Sequence, residues 1–220
     1  MKHVIKRCFD IICSTISIVV LSPIMLLSVV CIRLSSPGTV FYQAKRVGKN
    51  GKCFTMLKFR SMHVAVGAKE NSFIADENRI FAWGAFMRKS KIDELPQLLS
   101  VLKGDMSIVG PRPFSVESAD ILLSGKYREI LSVQPGLTSY ASLYDYKHGE
   151  LFIQDNQQYR EEVLPVKLEL ELYYVHNCTL GTDFSLIVKT VLNILQIILG
   201  KKKFSYNSVE KRAMESAHIK

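Results

Sequence analysis

The dominant feature of the hydrophobic pattern is a run rather than a period. From Ile11 to Ile32 the chain reads IICSTISIVVLSPIMLLSVVCI, 22 residues without a charge. As a straight helix this is about 33 Å long, enough to cross the hydrocarbon of a bilayer. Pro23 stands at its midpoint, where it removes one backbone N–H and crowds the carbonyl of Val19. The helix is therefore expected to bend or break at Ser22-Pro23, with the Ser22 hydroxyl at hand for a freed group.

Beyond this run the pattern changes. Residues 39–44 and 52–60 read as two short strands joined by a Gly-Lys-Asn-Gly turn, and 64–80 as a polar loop with a helical piece. Trp83 to Lys91 predicts a short helix. In DELPQLLSVLKGD the spacing of Leu95, Leu98, Leu99 and Leu102 predicts a second, with Asp93 suited to its N-cap and Pro96 to its first turn. A brief buried strand, Met106–Val109, leads into the stiff loop Gly110-Pro111-Arg112-Pro113 and a helix to about Ser132. Pro135-Gly136 reads as a turn into the Tyr-rich SYASLYDYKHGE, and 156–177 as helical with a bend at Pro165. Residues 183–199 are almost wholly apolar but short for a span, and lysines follow at 201–203. They read either as a helix lying in a membrane interface or as a core helix. The last 17 residues are polar and expected to be mobile. The fold class is α+β, mainly helical with a short β-hairpin, in three stretches: 1–35 membrane-anchoring, 36–200 catalytic and 201–220 a basic and polar tail.

Charge sharpens the membrane reading. The chain of 220 residues has a formal net charge of +9, yet residues 61–220 hold nineteen Lys/Arg and nineteen acids, so the whole excess lies in residues 1–60, with ten Lys/Arg against Asp10. Such a bias suits an anionic membrane surface or a nucleic acid. Lys2, Lys6 and Arg7 precede the apolar run, and Arg33, Lys45, Arg46, Lys49 and Lys52 follow it. A kinked spanning helix would export one cluster, against the positive-inside tendency, whereas a re-entrant helix turning at Ser22-Pro23 keeps both on one face. The run is long for a signal peptide and no A-x-A-like site follows it. Five scattered cysteines without a CxxC pair exclude a disulfide framework and a zinc ribbon, and fit a reducing compartment.

The chemistry-bearing residues are two acids among cations. No P-loop, G-x-G-x-x-G, H-E-x-x-H or G-x-S-x-G is present. Asp93-Glu94 stands at a predicted helix N-terminus after Arg88, Lys89 and Lys91, and Arg112 follows on a proline-stiffened loop, which together make a plausible phosphate site. Taken singly, the acids suit a helix cap, the cations a solvated face and Gly110–Pro113 a loop. Together they offer carboxylates able to attack phosphorus or hold a divalent cation, and cations able to neutralise a diphosphate.

These residues resemble the bacterial sugar transferases, the monotopic polyprenyl-phosphate phosphoglycosyl transferases. The resemblance runs from Lys6-Arg7 to about Leu195. It is carried by Pro37-Gly38 with FYQAKRVGKNGKCFTMLKFRSM, by MRKSKIDELPQLLSVLKGDMSIVGPRP, by QPGLT and by VLPVKLELELYYV. The short N-terminus resembles the minimal members. The resemblance implies that Asp93 is the nucleophile and Glu94 its partner, and that Arg88 and Arg112 bind phosphate. It further implies that Lys58 is a basic active-site residue, that Gly110, Pro111, Arg112 and Pro113 border the nucleotide, and that Ser22-Pro23 breaks a re-entrant helix. It implies Mg²⁺ shared by Asp93 or Glu94. The reaction implied is transfer of a sugar phosphate from a UDP-sugar to undecaprenyl phosphate through an aspartyl-phosphosugar intermediate, with release of UMP. This is the first membrane step of capsule, O-antigen, exopolysaccharide or glycoprotein assembly at the cytoplasmic face of the bacterial inner membrane. After Gln134–Thr138 the sequence departs from the commoner members, which continue with Gly-Trp-Ala and an Asn-Gly-Arg element, so the resemblance does not identify the sugar.

Two other readings compete. A lipid-linked glycosyl transferase would release UDP. A membrane-anchored basic protein without catalysis would need base-stacking aromatics among its Lys/Arg, and Phe41, Tyr42, Phe54 and Phe59 fit strand packing better, so no nucleic-acid partner is expected. The expected partners are a UDP-sugar, undecaprenyl phosphate and membrane lipids; the sequence leaves the oligomeric state open.

Overall fold

The structure is a computed structural model and describes residues 2–63, 77–149, 153 and 155–218. Of the polar stretch expected as a loop at 64–80, residues 64–76 lie outside them; Glu77–Arg79 forms a 3-10 turn. The fold is mainly helical with a short antiparallel hairpin, as expected.

Helix α1, Lys2–Ser35, carries the apolar run and is helical throughout, Pro23 included. The expected break at Ser22-Pro23 is therefore not a gap in the helical backbone. The Ser22 hydroxyl donates to the Val19 carbonyl (2.8 Å), the group that proline leaves without its usual N–H. Both ends of α1 dock on the same body. Near its start, Arg7 donates to the Val101 and Leu102 carbonyls (2.5 and 2.6 Å) and Lys6 to the Val109 carbonyl and Asp183. Buried Asp10 accepts from the Ile108 N–H (2.9 Å) and the Ser107 hydroxyl (3.0 Å). At its far end Ile32 packs with Phe59, Phe81 and Met87. There the buried Arg60 guanidinium donates to Ser36 and Pro37 carbonyls just past the last turn, where a helix favours positive charge. Between those anchors the outer face, with Ile12, Ile16, Val19, Val20 and Leu26, is exposed.

Strands β1 (Phe41–Val47) and β2 (Cys53–Phe59) form the hairpin, in a register that pairs Phe41 with Phe59 and Tyr42 with Lys58. Its turn needs two left-handed residues, which Asn50 (φ 56°) and Gly51 (φ 78°) supply. Helix α2 (Ala82–Ser90), a 3-10 turn (Ile92–Gln97) and helix α3 (Leu98–Lys103) follow, then strand β3 (Ser107–Val109). Pro135-Gly136, expected as a turn, instead enters strand β4 (Gly136–Thr138), parallel to β3. Three residues with a leading glycine carry no alternation. Gly136 is there because the backbones touch: a Cβ on it would lie 2.0 Å from the Gly110 nitrogen.

The helix expected to reach Ser132 divides into α4 (Val116–Leu122), capped by Ser115, and a 3-10 run over Gly125–Ser132. The Tyr-rich segment is helix α5 (Tyr140–His148). The helical region expected over 156–177 is α6 (Asn156–Gln158), a π turn (Tyr159–Val163) and α7 (Leu164–Asn177). The wide turn sits just before Pro165, where an α ladder would lack its donor. Helix α8 (Leu180–Ile198) buries Asp183, Leu186 and Ile197, while Phe184, Val191, Leu192 and Leu195 stay exposed, so it is not a core helix. By length and hydropathy α1 and α8 could each cross a membrane.

The tail expected to be mobile holds helix α9 (Ser208–Ser216). Asn207 and Glu210 close a capping box, Ala213 joins the core of Tyr159 and Leu170, and Glu210 pairs with Lys147. The N-x-x-E spacing was a readable helix start. The main core joins Met56, Leu98, Val101, Met106, Val109, Leu143, Tyr174 and Leu186, so the hairpin and five further elements, α3, β3, α5, α7 and α8, share it.

Asp10→Ala would leave the Ile108 N–H and Ser107 hydroxyl buried without their acceptor, at a cost of about 2 kcal/mol. Thermal unfolding in detergent micelles should show a lower midpoint for Asp10→Ala and a smaller loss for Asp10→Asn, which keeps an acceptor oxygen. Equal midpoints in all three proteins would mean that this contact does not hold α1 to the body.

Candidate active site

The site begins with a reversal of the chain. Lys91 ends α2 in the left-handed conformation (φ 58°) and its N–H bonds back to the Arg88 carbonyl (3.3 Å). A non-glycine residue there costs about 1 kcal/mol and persists only where its surroundings hold it. The turn delivers Asp93 and Glu94 into the interior, at 5% and 6% exposure. Here the structure corrects the helix-cap reading. Asp93 makes no capping bond, lies inside the 3-10 turn, and precedes a helix of only six residues that starts at Leu98. The tighter turn also rotates the apolar face: Leu98 and Val101 are buried while Leu99 is 41% exposed.

Glu94 is fully engaged. Its Oε1 accepts from Lys58 Nζ on β2 (2.8 Å) and from Arg112 Nη2 (2.7 Å), and its Oε2 accepts from Arg112 Nη1 (3.3 Å), a two-pronged guanidinium–carboxylate pair. Burial alone would raise its pKa, but the charges of Arg112 and Lys58 outweigh burial and hold it well below the ordinary carboxylate range. Asp93 goes the other way. Burial raises its pKa and the Glu94 charge adds to this, opposed by Lys58, Lys91 and Arg88. Its Oδ1 is buried without a hydrogen-bond partner among the described residues. Two adjacent carboxylates thus carry opposite shifts, the usual sign of divided roles.

The Gly110–Pro113 loop is fixed from behind. Gly110 N–H donates to the Thr138 carbonyl (3.0 Å), Gly136 N–H to the Pro111 carbonyl (2.8 Å), and Arg112 N–H to Glu171 Oε1 on α7 (2.8 Å). Ser139, which caps α5, also donates to Glu171 Oε1 (3.0 Å). Arg88, half-buried in the last turn of α2, makes no ion pair among the described residues.

The family profile described as bacterial sugar transferase matches residues 1–197. The chain belongs to the bacterial sugar transferase family. Similar proteins include a UDP-N-acetylgalactosamine-undecaprenyl-phosphate N-acetylgalactosaminephosphotransferase of Aeromonas hydrophila, 38% identical over 87% of this chain and 44% of that protein. An uncharacterized sugar transferase, EpsL, of Bacillus subtilis is 34% identical over 87% and 88%. A UDP-glucose:undecaprenyl-phosphate glucose-1-phosphate transferase of Escherichia coli K12 is 31% identical over 87% and 40%. The chain spans less than half the length of the Aeromonas and Escherichia relatives, and most of the Bacillus one.

Of the residues expected in this family member's site, Lys58, Glu94 and Arg112 form one ion cluster, Asp93 precedes Glu94, and Gly110, Pro111 and Pro113 lie in the loop that carries Arg112. Ser22 and Pro23 are no part of it, since Ser22 bonds only within α1. Lys91 was read only as one of the cations before the acids, and Ser139 and Glu171 were missed. Glu171 was detectable, as the acid that ends the buried series Leu164, Leu168, Glu171 on one face of α7. No cluster of three or more His, Cys, Asp or Glu occurs among the described residues. A Mg²⁺ ion commonly takes one or two carboxylates, completing its shell with substrate phosphate and water. The orphaned Asp93 Oδ1 fits that demand, whereas the Glu94 oxygens already carry three hydrogen bonds.

Burial pushes the Glu171 carboxyl up to about 7, against hydrogen bonds from Arg112 and Ser139 that pull it down. Between the ordinary carboxylate range and pH 7 the folded protein therefore keeps a proton that the unfolded chain has released, and stability falls as pH rises through that window. Relative to Glu171→Gln, which does not titrate, the wild type should lose on the order of 2–3 kcal/mol between pH 5 and pH 8. Denaturant titrations of both proteins across that range check this. Parallel stability curves would mean that Glu171 ionises at its ordinary pKa in the fold.

Proposed function

We propose that the protein transfers a sugar phosphate from a UDP-sugar to undecaprenyl phosphate, releasing UMP, with Asp93 as nucleophile. The observation that carries this reading is the unpaired, buried Oδ1 of Asp93 beside a Glu94 whose oxygens are both claimed by cations. The names of the Aeromonas and Escherichia relatives support the reaction class.

The chemistry balances without a proton. An Asp93 oxygen attacks the phosphorus that bears the sugar, the bond to the bridging oxygen breaks, and UMP leaves with that oxygen. A phosphate oxygen of undecaprenyl phosphate then attacks the same phosphorus and the bond to Asp93 breaks, which restores the carboxylate. Burial makes Asp93 a stronger nucleophile by raising its pKa, and Lys58, Lys91 and Arg88 oppose its protonation. Arg88 and Arg112 can neutralise the diphosphate, Arg88 without giving up an ion pair and Arg112 by sharing its fork between Glu94 and phosphate. Lys58 keeps Glu94 charged and in place while Arg112 does so. A Mg²⁺ ion bound at Asp93 and the diphosphate would supply further neutralisation of charge on the leaving UMP.

Membrane placement follows from the same body. A spanning α1 would carry one end away from the cytoplasmic body, whereas Asp10 and Ile32 both pack against it, which favours a re-entrant or interfacial α1. The exposed apolar residues of α8, followed by Lys201, Lys202 and Lys203, suit an interfacial helix with lysines among the headgroups. We place the catalytic body on the cytoplasmic face of the bacterial inner membrane, where the acceptor phosphate lies.

Two experiments test this reading. Purified enzyme, Mg²⁺ and a UDP-sugar, with no lipid, should yield a sugar-phosphate adduct on Asp93 by mass spectrometry; undecaprenyl phosphate should discharge it, and Asp93→Asn should lack it. Activity in Asp93→Asn free of deamidated protein would point to direct attack by the lipid phosphate, with Asp93 only a metal ligand, and UDP in place of UMP would mean plain glycosyl transfer. For topology, single cysteines at positions 2 and 33, in a background without native cysteines, should both resist an external thiol reagent in intact cells. Labelling of only one would establish a spanning helix.

A further inference from the structure

Helix α5 links the active-site turn to a part of the chain that lies beyond the family match, which ends at residue 197. Three successive residues in its last turn face different neighbours. Tyr146, 3% exposed, donates its hydroxyl to the Lys89 carbonyl in the last turn of α2, and its ring lies under the Lys91 ammonium, 4.8 Å from the ring centre. Lys147 forms a buried ion pair with Glu210 of α9. His148 stacks on Tyr206, with ring centres 4.3 Å apart. Glu210 does two things at once: one oxygen takes Lys147, and the other accepts the Asn207 N–H (2.9 Å) and so closes the α9 cap.

The physical need for such a contact is at Lys91. Its left-handed backbone is held at a cost, and the turn it makes sets where Asp93 points. Tyr146 supplies two constraints on that turn, a hydrogen bond to Lys89 and a cation–π contact to Lys91. Tyr146 is itself near the end of a nine-residue helix, where fraying is expected unless something holds the last turn. The α9 segment does so through the Lys147–Glu210 pair, with both partners out of water.

We propose that Tyr146 is a positioning residue for the Asp93 turn, and that the C-terminal segment containing Tyr206 and Glu210 braces it there. Its catalytic consequence rests on the transferase reading above, but the contact itself does not, so two readouts separate them.

The first is hydrogen exchange by mass spectrometry on the full-length chain in lipid nanodiscs, comparing wild type, Tyr146→Phe, Tyr146→Leu and Glu210→Gln. Peptides covering residues 86–97 should exchange ~10-fold faster or more in Tyr146→Leu and Glu210→Gln, while hairpin peptides keep their wild-type rates. Unchanged exchange at 86–97 in both variants would overturn the proposal, as would equal acceleration everywhere, which would mark a general loss of stability. If Tyr146→Leu does not fold, Tyr146→Phe and Glu210→Gln carry the test. The second is UMP release from UDP-N-acetylgalactosamine or UDP-glucose with undecaprenyl phosphate. There Tyr146→Leu should lower kcat ~10-fold or more with KM within about twofold, and Tyr146→Phe, which keeps the ring beneath Lys91, should recover part of it. A raised KM at unchanged kcat would overturn the positioning role. A wild type that releases no UMP from either donor would count against the transferase reading, and the exchange result would still decide the brace.

Discussion

A carboxylate taken out of water needs partners, and the interior of this protein is arranged around how Glu94 obtains them. Lys58 comes from β2 and Arg112 from the loop after β3, so one buried anion draws the hairpin, the 3-10 turn and the Gly110–Pro113 loop to a point. Removing either cation would strand charge, a fault that commonly costs about 3–5 kcal/mol. The demand propagates outward. Arg112 can reach Glu94 only because its own backbone is tied to Glu171 on α7, which is also the partner of the α5 cap. Asp93, one residue away, receives none of this support at its Oδ1 among the described residues.

The same rule governs α1. Its flanking charges look suited to lipid headgroups, yet Lys6, Arg7 and Asp10 turn inward to carbonyls, to Asp183 and to the β3 backbone. At the far end, Arg60 reaches back from β2 to the carbonyls after the helix. Polar anchors at both ends, joined at the far end by the buried Ile32, fix the helix to the body and leave an apolar middle facing outward. The anchors also sit on or beside the elements that build the site: β3 leads into Gly110, and β2 carries Lys58 and ends one residue before Arg60. The apolar helix and the Glu94 ion cluster are therefore anchored to the same part of the body.

Much of this was legible beforehand. The apolar run, the hairpin with its Asn-Gly turn, α2 and α8 follow from length, alternation and turn chemistry, which act over a few residues and need no partner. Arg88, Asp93, Glu94 and Arg112 were legible as a set, because cations and acids that recur beside a proline-stiffened loop are unusual together, and Lys58 was added by the family resemblance. Other features were not. β4 is too short to alternate, and Gly136 is explained only by Gly110 against it. The tail looked mobile because its composition is polar; its buried Glu210 is acceptable only with Lys147 placed opposite by a fold that brings residues 63 positions apart together.

The sequence by itself determined which residues could do chemistry here, since charge, nucleophilicity and hydrogen-bonding capacity belong to side chains. It could not determine which of two adjacent acids would be satisfied and which left bare. Asp93 looked like a helix cap; the chain instead winds a 3-10 turn there and buries it, so that its pKa rises while that of Glu94 falls. Burial and the distance to a partner set those shifts, and both are properties of elements distant in sequence that only the tertiary structure brings within reach.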